Sequence, residues 1–558
     1  MDDAKLSAVR EIHVALGQRG FVRDWSEPTP TYTGILDPQG LHVPVSISLP
    51  DLDFVGPPPI RIDPGFEIQK RLLPHVGGNR SLCYFATGAV VFDRYKPAGT
   101  VLACLHQAEK VVVDALLGKS DGDFANEFDA YWSENYISVD LPPDYTGMAK
   151  IYFYKKASDV GPMTVLCLDD SWLISYNERE LGTKVTTEDC IVVQVQEPLT
   201  LDPDGEWPPK TVYDLNNWLS VSAPELVGVL EKSFAMITEK VVSVVVRAPN
   251  GIFSYRSSIP NLLKRDEFLK SRRHNLPLIL NKFSKQMDIE RTEGRRADPG
   301  YIFSRNLGQA SNLSGKRVLL VGCGTIGAYV AHQLAQSGAG ADGGELCLAD
   351  PDKLNTANLG RHLLGVDYLY KNKAEGCAKF ILSQLPMLKV AAYPYDARKL
   401  LKSAPRFDLI IDATGEEGLS LAINHMAVHG RPKWPPTIFG YLIGNGAIAQ
   451  AILVDQPDRA CLKCLKPELA GPPRFKGLKP GIEVETVANM ECGDAQHIPF
   501  PVSRSVGAAS LIVDLAMEWV GGRVNNRFRN IIFDPERAYA IKDGNPLPSK
   551  FCPTCQLT

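Results

Sequence analysis

The stretch Arg317-Val-Leu-Leu-Val-Gly-Cys-Gly-Thr-Ile-Gly327 decides the fold of the C-terminal part of this chain. RVLLV is typical of a buried strand in a parallel sheet, and GCGTIG follows it directly as a glycine-rich turn. The apolar segment AYVAHQLAQSG is then typical of a helix, and ELCLAD, which ends at Asp350, is typical of a second strand. This order predicts a nucleotide-binding βαβ unit, whose glycines let the backbone approach a phosphate and whose acid accepts from ribose hydroxyls.

On these residues alone, the unit is most typical of an NAD or flavin domain. The residues that follow Asp350 change this interpretation, because acids, amides, an arginine and lysines cluster between it and Lys373. A carboxylate that attacks the α-phosphate of ATP needs cations that balance phosphate charge, and it needs carboxylates that hold Mg²⁺. Arg361 and Lys373 could supply the positive charge. The sequence therefore favours ATP chemistry over hydride transfer.

This pattern resembles the ThiF family of adenylation domains, found in ubiquitin-activating enzymes and in activators of bacterial sulfur-carrier proteins. The resemblance covers roughly residues 300–558 and implies ATP-dependent adenylation of another protein's C-terminal carboxylate, with release of pyrophosphate. Arg305, in FSRN, takes the position of an arginine that reaches the partner subunit's nucleotide in a dimer. The other matching residues are Gly322, Gly324, Gly327, Asp350, Asp352, Asn358, Arg361 and Lys373, with His362 where glutamine is usual.

One departure from this family concerns the Mg²⁺ ligands. The family commonly has D-x-x-D at the end of the strand that reads LIIDATGEEG here. Asp412 matches the first aspartate, but Gly415 stands at the second. Glu416 or Glu417 could substitute, so the ligand stays open while use of ATP is still expected.

The cysteines fall into groups with different expected roles. Cys461 with Cys464, and Cys552 with Cys555, form two C-x-x-C pairs, and four thiolates so spaced can close a tetrahedral structural Zn²⁺ site. Members of the ThiF family often have such a site, which here would hold the C-terminal CPTC segment on the domain. Six of the 12 cysteines are expected to be packing residues, and a disulfide scaffold is not expected.

Two further cysteines have surroundings that suit catalysis. Cys492 lies in MECGD, in the region where many activating enzymes carry a cysteine that attacks the acyl-adenylate and forms a thioester. Cys83 lies in an N-terminal segment that resembles the ubiquitin-conjugating-enzyme fold in its bacterial variants, where it would pass the acyl group to an amine. His75 lies where that family's H-P-N motif begins, but Val76 follows it. The oxyanion stabiliser therefore stays open, with Asn79 as a candidate.

The predicted fold class is a multidomain α/β protein. Residues 1–147 are predicted to form an α+β conjugating-enzyme-like domain, 148–285 a β-rich middle domain, and 286–558 a Rossmann-like ThiF-type adenylation domain with the zinc site. The polar stretch 282–299 is predicted to be the linker before the third domain. The middle domain has no catalytic motif that we recognise.

A conjugating-like domain ahead of an activating domain resembles the fusion enzymes of the CBASS anti-phage systems. This resemblance implies a homodimer that joins the C-terminus of a cyclic-nucleotide synthase to target amines, such as lysines. The formal net charge of −4 gives no global attraction for nucleic acid. The N-terminus shows no leader pattern and no stretch is apolar enough to span a membrane, so a cytoplasmic protein is expected.

Two other functions stay open on sequence. The chain could activate a sulfur-carrier or ubiquitin-like protein without conjugation, in which case Cys83 would be dispensable. It could also be a degenerate nucleotide-sensing interaction module, for which Gly415 is the best support. Pyrophosphate exchange into ATP separates an active adenylating site from such a module.

Overall fold

The computed structural model describes residues 3–37, 40–66, 72–77, 79–86, 88–133, 135–155, 163–168, 184–237, 239–263, 275–468, 471–487 and 498–557. Contacts within the chain divide it into two compact units. The first comprises residues 1–137, 144–151 and 187–295, and the second comprises 138–143, 152–186 and 296–558. None of the helices in the described ranges combines the length and the apolar character needed to cross a membrane.

The first unit begins with a small α+β arrangement. Its elements are α1 (Asp3–Gln18), β1 (Val22–Asp24), β2 (Thr31–Leu36), β3 (Val43–Ser48), β4 (Ile60–Ile62), α2 (Pro97–Leu116), α3 (Asp123–Asn126) and α4 (Phe128–Trp132). The four strands form an antiparallel sheet in the order β1-β2-β3-β4. Alternate residues of β3 are buried, and they share one core with Ile12 of α1 and Val101 of α2. The period-two apolar pattern of β3 therefore points one of its faces at these helices.

The middle of the chain is rich in strands, as predicted. Its elements are β5 (Tyr136–Asp140), β6 (Gly147–Lys155), β7 (Met163–Cys167), β8 (Lys184–Gln194), α5 (Val212–Ser222), α6 (Val229–Met236), β9 (Val241–Ala248), β10 (Gly251–Ser258), α7 (Leu276–Phe283) and β11 (Ile289–Arg296). In the first unit, β8 pairs in parallel with β9, and β10 pairs antiparallel with both β9 and β11. In the second unit, β5 pairs in parallel with β7.

The predicted linker at residues 282–299 is wrong, because Ile289–Arg296 forms β11. Its pairing with β10 brings the strands so close that a Cβ on Gly294 would lie 2.5 Å from a side-chain carbon of Ile252. Arg256 of β10 also forms an ion pair with Glu290, with a nitrogen–oxygen distance of 2.7 Å. Ion-paired charges and a close-packed glycine replace the apolar alternation that identifies most strands, so the sequence pattern indicated a linker.

The rest of the second unit is a Rossmann-like α/β fold. Its elements are α8 (Pro299–Ser304), β12 (Arg317–Val321), α9 (Gly327–Gln336), β13 (Glu345–Ala349), α10 (Lys373–Gln384), β14 (Val390–Tyr393), α11 (Arg398–Leu401), β15 (Leu409–Asp412), α12 (Glu417–His429), β16 (Thr437–Ile443), β17 (Ile448–Val454), α13 (Leu462–Leu465), α14 (Val502–Val520) and β18 (Phe528–Ile532). Among the described residues, short 3₁₀ helices lie at Pro224–Leu226, Asn261–Leu263, Ser284–Gln286, Thr356–Asn358, Val366–Tyr368, Ala404–Arg406 and Cys555–Leu557.

The seven-stranded sheet of this unit has the order β14-β13-β12-β15-β16-β17-β18. Pairing is parallel from β14 to β16 and antiparallel from β16 to β18. Val318 and Leu320 of β12 pack into one apolar core, and Leu319 and Val321 pack into another. Since both faces of β12 are covered, the strand reads as a continuous apolar run, and the predicted parallel sheet is confirmed.

Candidate active site

The glycine turn after β12 begins the site. Gly322 has a φ of 90°, and a Cβ there would lie 2.9 Å from the Cα of Thr414. A Cβ on Gly327 would lie 1.9 Å from the carbonyl oxygen of Gly322, so the strand end and the helix start meet too closely for side chains. A Cβ on Gly324 would meet nothing within 4 Å, and this residue lines a cleft of about 450 Å³. Two of the glycines therefore close the turn, and the third leaves the cleft open.

Asp350 ties this turn to the segment after β13. Its carboxylate accepts hydrogen bonds from the backbone nitrogens of Cys323 at 2.7 Å and of Asp352 at 2.8 Å. Asp350 is only 6% exposed, and burial raises the pKa of its carboxyl group despite these hydrogen bonds. Asp350 and Asp352 both line the cleft, as do Gly322 and Gly324.

Lys373 is the first residue of α10, and it lines the same cleft. Its ammonium lies 2.9 Å from a carboxylate oxygen of Asp352, and its side chain is 12% exposed. The preceding residue, Asn372, caps the helix by accepting from the backbone nitrogen of Glu375 at 3.1 Å. The Asn372 amide also donates to the carbonyl oxygens of Asp350 and Asp352, at 2.8 and 3.1 Å. The lysine is thus fixed at the end of β13, where it can balance phosphate charge.

His362 forms a hydrogen bond with the backbone of the glycine turn, a contact that was not predicted from the sequence. Its Nδ1 accepts from the backbone nitrogen of Leu364 at 3.1 Å, so its Nε2 carries the proton and donates to the carbonyl oxygen of Cys323 at 2.8 Å. Burial lowers the pKa of this histidine, which keeps the ring neutral. One neutral imidazole therefore joins the turn to the segment that carries Arg361.

This arrangement predicts an acid-sensitive fold. The pKa of His362 is lowered from 6.5 in the folded chain, so the unfolded chain binds more protons and stability falls as the pH drops below about 6.5. We expect the thermal unfolding temperature to fall by several degrees between pH 7 and pH 5, and to fall less in His362→Gln. A residual fall should remain in the variant, because burial also lowers the pKa of His332. Identical pH profiles for the two proteins would contradict this role of His362.

Arg361 and Asn358 lie beside the turn. The Arg361 guanidinium donates to the hydroxyl of Thr325 at 3.2 Å, and burial lowers its pKa. The Asn358 side chain accepts from the backbone nitrogen of Asn355 at 3.1 Å and so caps the short helix before Arg361. Neither Asn358 nor Arg361 is among the described residues that line the cleft. Arg305 directly follows α8 and is exposed.

The two acids at the end of β15 have different positions. Asp412 is 2% exposed, and its carboxylate accepts from the hydroxyls of Thr414 at 2.8 Å and of Ser420 at 2.5 Å. It lines a neighbouring pocket together with Gly415 and Glu417. Glu416 instead lines the cleft that holds Asp352 and Lys373. Of the two glutamates considered from the sequence, Glu416 therefore lies with the predicted nucleotide-binding residues.

Two other charged residues of the cleft were not predicted from the sequence. Asp396 and Arg398 follow β14, and two nitrogens of the arginine donate to one carboxylate oxygen of the aspartate. Because the carboxyl ends of parallel strands meet at one edge of the sheet, their place after a strand was the signal that could have found them.

The four cysteines of the two C-x-x-C pairs come together at a second site. Their sulfur atoms all lie within 4.8 Å of one another, with distances of 3.8 Å for Cys461–Cys464 and 3.5 Å for Cys464–Cys555. Tetrahedral zinc with Zn–S bonds of about 2.3 Å places neighbouring sulfurs about 3.8 Å apart. Two protein N–H groups point at these sulfurs, from Ser549 to Cys464 at 3.3 Å and from Asn424 to Cys461 at 3.5 Å. The site is compatible with a structural zinc ion.

Cys83 is exposed, whereas the six cysteines expected to be packing residues are all buried. Next to it, Val76 and Leu82 form an antiparallel bridge, and the Cys83 backbone nitrogen donates to the His75 carbonyl oxygen at 2.8 Å. Burial raises the pKa of Cys104 in the same unit to about 11, so that thiol is a poor nucleophile. Of the described cysteines in the first unit, Cys83 is the one open to a reaction partner.

The surroundings of Cys83 include residues that the sequence analysis did not connect with it. The His75 ring lies between two carboxylates, with Nε2 3.0 Å from Asp123 and Nδ1 2.7 Å from Glu127. Asn79, the candidate oxyanion stabiliser, accepts from the backbone nitrogen of Ser81 through its side-chain oxygen at 3.0 Å. Cys492, the other predicted nucleophile, lies outside the described residues.

Comparison with known families matches two regions of the chain. Residues 302–534 match the ThiF family, and residues 17–139 match prokaryotic E2 family B. Both matches agree with the resemblances seen in the sequence, and the predicted fold class is confirmed.

Two named relatives match most of this chain. The ATP-dependent ubiquitin transferase-like protein Cap2 of Pseudomonas aeruginosa is 30% identical over 585 residues, covering 98% of this chain and 99% of that one. The Cap2 protein of Escherichia coli strain TW11681 is 24% identical and covers 80% of each chain. Among solved structures, E. coli MccB with ATP is 21% identical, covers 44% of this chain and 67% of that one, and has a TM-score of 0.33.

Proposed function

This chain belongs to the family of ATP-dependent ubiquitin transferase-like proteins named Cap2, and we propose that it conjugates one protein's C-terminus to an amine in three steps. Family membership makes it an enzyme of ATP-dependent adenylation and ubiquitin-like conjugation. The observation that carries the proposal is the cleft in which the glycine turn, Asp350, Asp352 and Lys373 converge.

The first step is adenylation in this cleft. The substrate's C-terminal carboxylate attacks the α-phosphate of ATP, and pyrophosphate leaves. Lys373 would exchange its Asp352 partner for a phosphate oxygen, and Arg361 would add positive charge beside the turn. Asp350 would accept from the ribose hydroxyls. Arg305 would act on the nucleotide of the second subunit in a homodimer, as the resemblance implies.

Mg²⁺ would be held by carboxylates of the cleft. Asp352 and Glu416 both line it and both are exposed, so their oxygens are accessible to a hard cation. Asp412, whose side chain is occupied by Thr414 and Ser420, would support this site by ordering the loop that carries Glu416. The cation would neutralise the charge of the leaving pyrophosphate.

The second step transfers the acyl group from the adenylate to Cys492. The third step passes it to Cys83 and from there to an amine. Cys492 would attack the adenylate and form a thioester, with release of AMP. Cys83 would then take the acyl group by transthioesterification and yield it to an acceptor lysine as an amide. The exposure of Cys83 and the E2 match around it support this role over activation of a sulfur carrier without conjugation.

The partners are proposed from the resemblance to the CBASS fusion enzymes. The activated protein would be a cyclic-nucleotide synthase with a free C-terminus, primed for anti-phage defence, and the acceptors would be lysines of target proteins. Direct nucleic-acid binding is not part of this proposal.

A capture experiment in the native host tests the proposal. Tagged protein recovered with ATP present should carry an adduct that disappears with a thiol reductant, and mass spectrometry of the adduct would identify the activated protein. A second readout is pyrophosphate exchange into ATP with the captured partner. Exchange without any thiol-sensitive adduct would favour adenylation alone, and absence of both would favour a nucleotide-sensing module.

We also propose that the four-cysteine site holds structural zinc. Replacing Cys552 with serine should lower bound zinc from about one ion per chain to near zero and destabilise the fold by several kcal/mol, because metal binding at such sites contributes to folding. Elemental analysis and thermal unfolding measure the two effects. Cys83→Ser is the matched control and should retain zinc. A wild-type chain that purifies without zinc and is insensitive to chelators would contradict the proposal.

A further inference from the structure

We infer that a middle part of the chain positions the backbone of Cys83 for acyl transfer. This part consists of residues 199–207, called the 199–207 segment below, and of Asn250 in the turn between β9 and β10. The inference rests on the proposed function, in which Cys83 carries the acyl group. It gives a role to a region in which the sequence shows no catalytic motif that we recognise.

The first support is the core in which α3 and α4 are buried. Phe124, Phe128 and Trp132 of these helices are almost completely buried, and they belong to one apolar cluster with Leu199 and Leu201. The sheet of β1 to β4 packs against α1 and α2 in a separate cluster. Both helices lie within the region that matches prokaryotic E2 family B, yet their core is shared with the middle of the chain.

Asn250 ties α3 to the start of the 199–207 segment. Its amide nitrogen donates to the carbonyl oxygens of Ala125 at 2.6 Å and of Leu199 at 2.8 Å. Its amide oxygen accepts from the backbone nitrogen of Leu199 at 3.0 Å. A side-chain amide offers two donors and an acceptor, and here both kinds bind backbone groups. One side chain therefore fixes the segment relative to the helix.

The same segment also reaches the residues that lead to the conjugating cysteine. The carbonyl oxygen of Pro203 accepts from the backbone nitrogen of Leu72 at 2.8 Å. The indole nitrogen of Trp207 donates to the carbonyl oxygen of Tyr131 at 2.8 Å, and the Tyr131 hydroxyl donates to that of Leu73 at 3.3 Å. A direct contact and an indirect one therefore join the segment to two consecutive residues of this stretch.

The backbone carries this constraint on to Cys83. The carbonyl oxygen of His75 accepts from the backbone nitrogen of Cys83 at 2.8 Å, and Val76 and Leu82 form an antiparallel bridge beside this bond. A displacement of about 1 Å at a reacting group can slow its reaction strongly, even when the cause lies far from the chemistry. The contacts of the 199–207 segment therefore act by positioning the nucleophile.

Hydrogen exchange of the full chain, measured by mass spectrometry, tests whether this structural link exists. Asn250→Ala removes three hydrogen bonds, so the amides of Leu72 and Cys83 should exchange faster by a factor on the order of 10. Peptides from β2 and β3 should exchange at the wild-type rate, because these strands belong to the separate cluster. Asn217→Ala, which removes an exposed amide from α5, is the matched control and should exchange like the wild type.

Single-turnover discharge tests the consequence for the reaction. Protein recovered from the host with a thioester on Cys83 is freed of ATP and mixed with increasing concentrations of free lysine. Asn250→Ala should lower the maximal rate of discharge by a factor on the order of 10. The lysine concentration that gives half of this rate should not change, because Cys83 stays exposed to the amine. Asn217→Ala should discharge like the wild type.

Trp207→Phe is the second variant, because it keeps an aromatic ring beside Phe128 and removes the indole donor. It should change both measurements in the same direction, and it decides the matter if Asn250→Ala does not fold. Unchanged exchange at Leu72 and Cys83, or an unchanged maximal rate of discharge, would overturn the inference. Faster exchange in β2 and β3 as well would indicate general destabilisation and would also overturn it.

Failure of the proposed function would give a different result. A wild-type chain that never acquires a thioester on Cys83 would refute that function, and the inference about acyl transfer would fall with it. Hydrogen exchange needs no thioester, so it would still show whether the middle of the chain holds Cys83. The two failures are therefore distinguishable.

Discussion

Replacing Lys373 with alanine is expected to lower pyrophosphate exchange into ATP by a factor on the order of 100 to 1,000. The lysine lies at the first position of α10, after the buried cap Asn372, and it lines the same cleft as Gly322 and Gly324. Negative charge moves onto pyrophosphate as it leaves, and a fixed cation stabilises that transition state more than the bound substrate. The loss should therefore appear in kcat/KM for exchange rather than in the folding of the chain.

Lys371→Ala is the control that separates this effect from a general loss of positive charge. Lys371 lies two positions away in the same segment, and its ammonium donates to the carbonyl oxygen of Asp367 at 2.7 Å. It does not belong to the described lining of the cleft, so its variant should exchange pyrophosphate close to the wild-type rate. Similar rates in Lys373→Ala and wild type would remove this lysine from the adenylation step.

The parts of the fold that depend on local sequence could be predicted. A βαβ unit is encoded in consecutive residues, so the strand before Gly322, the helix after Gly327 and the strand before Asp350 all formed as expected. The C-x-x-C spacing within each cysteine pair predicted a shared metal site, and Cys461 and Cys552 do come together. In each case the signal lay within a few residues of the feature.

Features that depend on tertiary contacts could not be predicted from the local sequence. Glu127 contacts the His75 ring, and the His75 carbonyl oxygen accepts from the Cys83 backbone nitrogen, but no local pattern links residues so distant in sequence. The burial of Asp412 depends on Ser420, a residue of the following helix. The role of His362 depends on a carbonyl oxygen 39 positions earlier. The sequence showed these residue types, but their partners are fixed by the fold.

Removing the two proposed nucleophiles one at a time should give unequal results. Cys83→Ala should retain a thiol-sensitive adduct on Cys492, because only the later acceptor is lost. Cys492→Ala should lose the adducts of both cysteines, because Cys83 receives its acyl group from Cys492 in the proposed order. The measurement is electrophoresis of protein recovered with ATP, with and without reductant, followed by mass spectrometry of the modified peptides.

Serine variants make the same order visible as a trapped product. A serine hydroxyl that receives the acyl group forms an oxyester, which resists thiol reductants, so Cys83→Ser should accumulate a reductant-stable adduct if Cys83 is a true acceptor. Cys492→Ser should trap the acyl group one step earlier and leave Cys83 unmodified. An adduct on Cys83 that survives in Cys492→Ala would show that the conjugating cysteine attacks the adenylate directly. The proposed transfer from Cys492 to Cys83 would then be wrong, while the role of Cys83 as the conjugating nucleophile would stand.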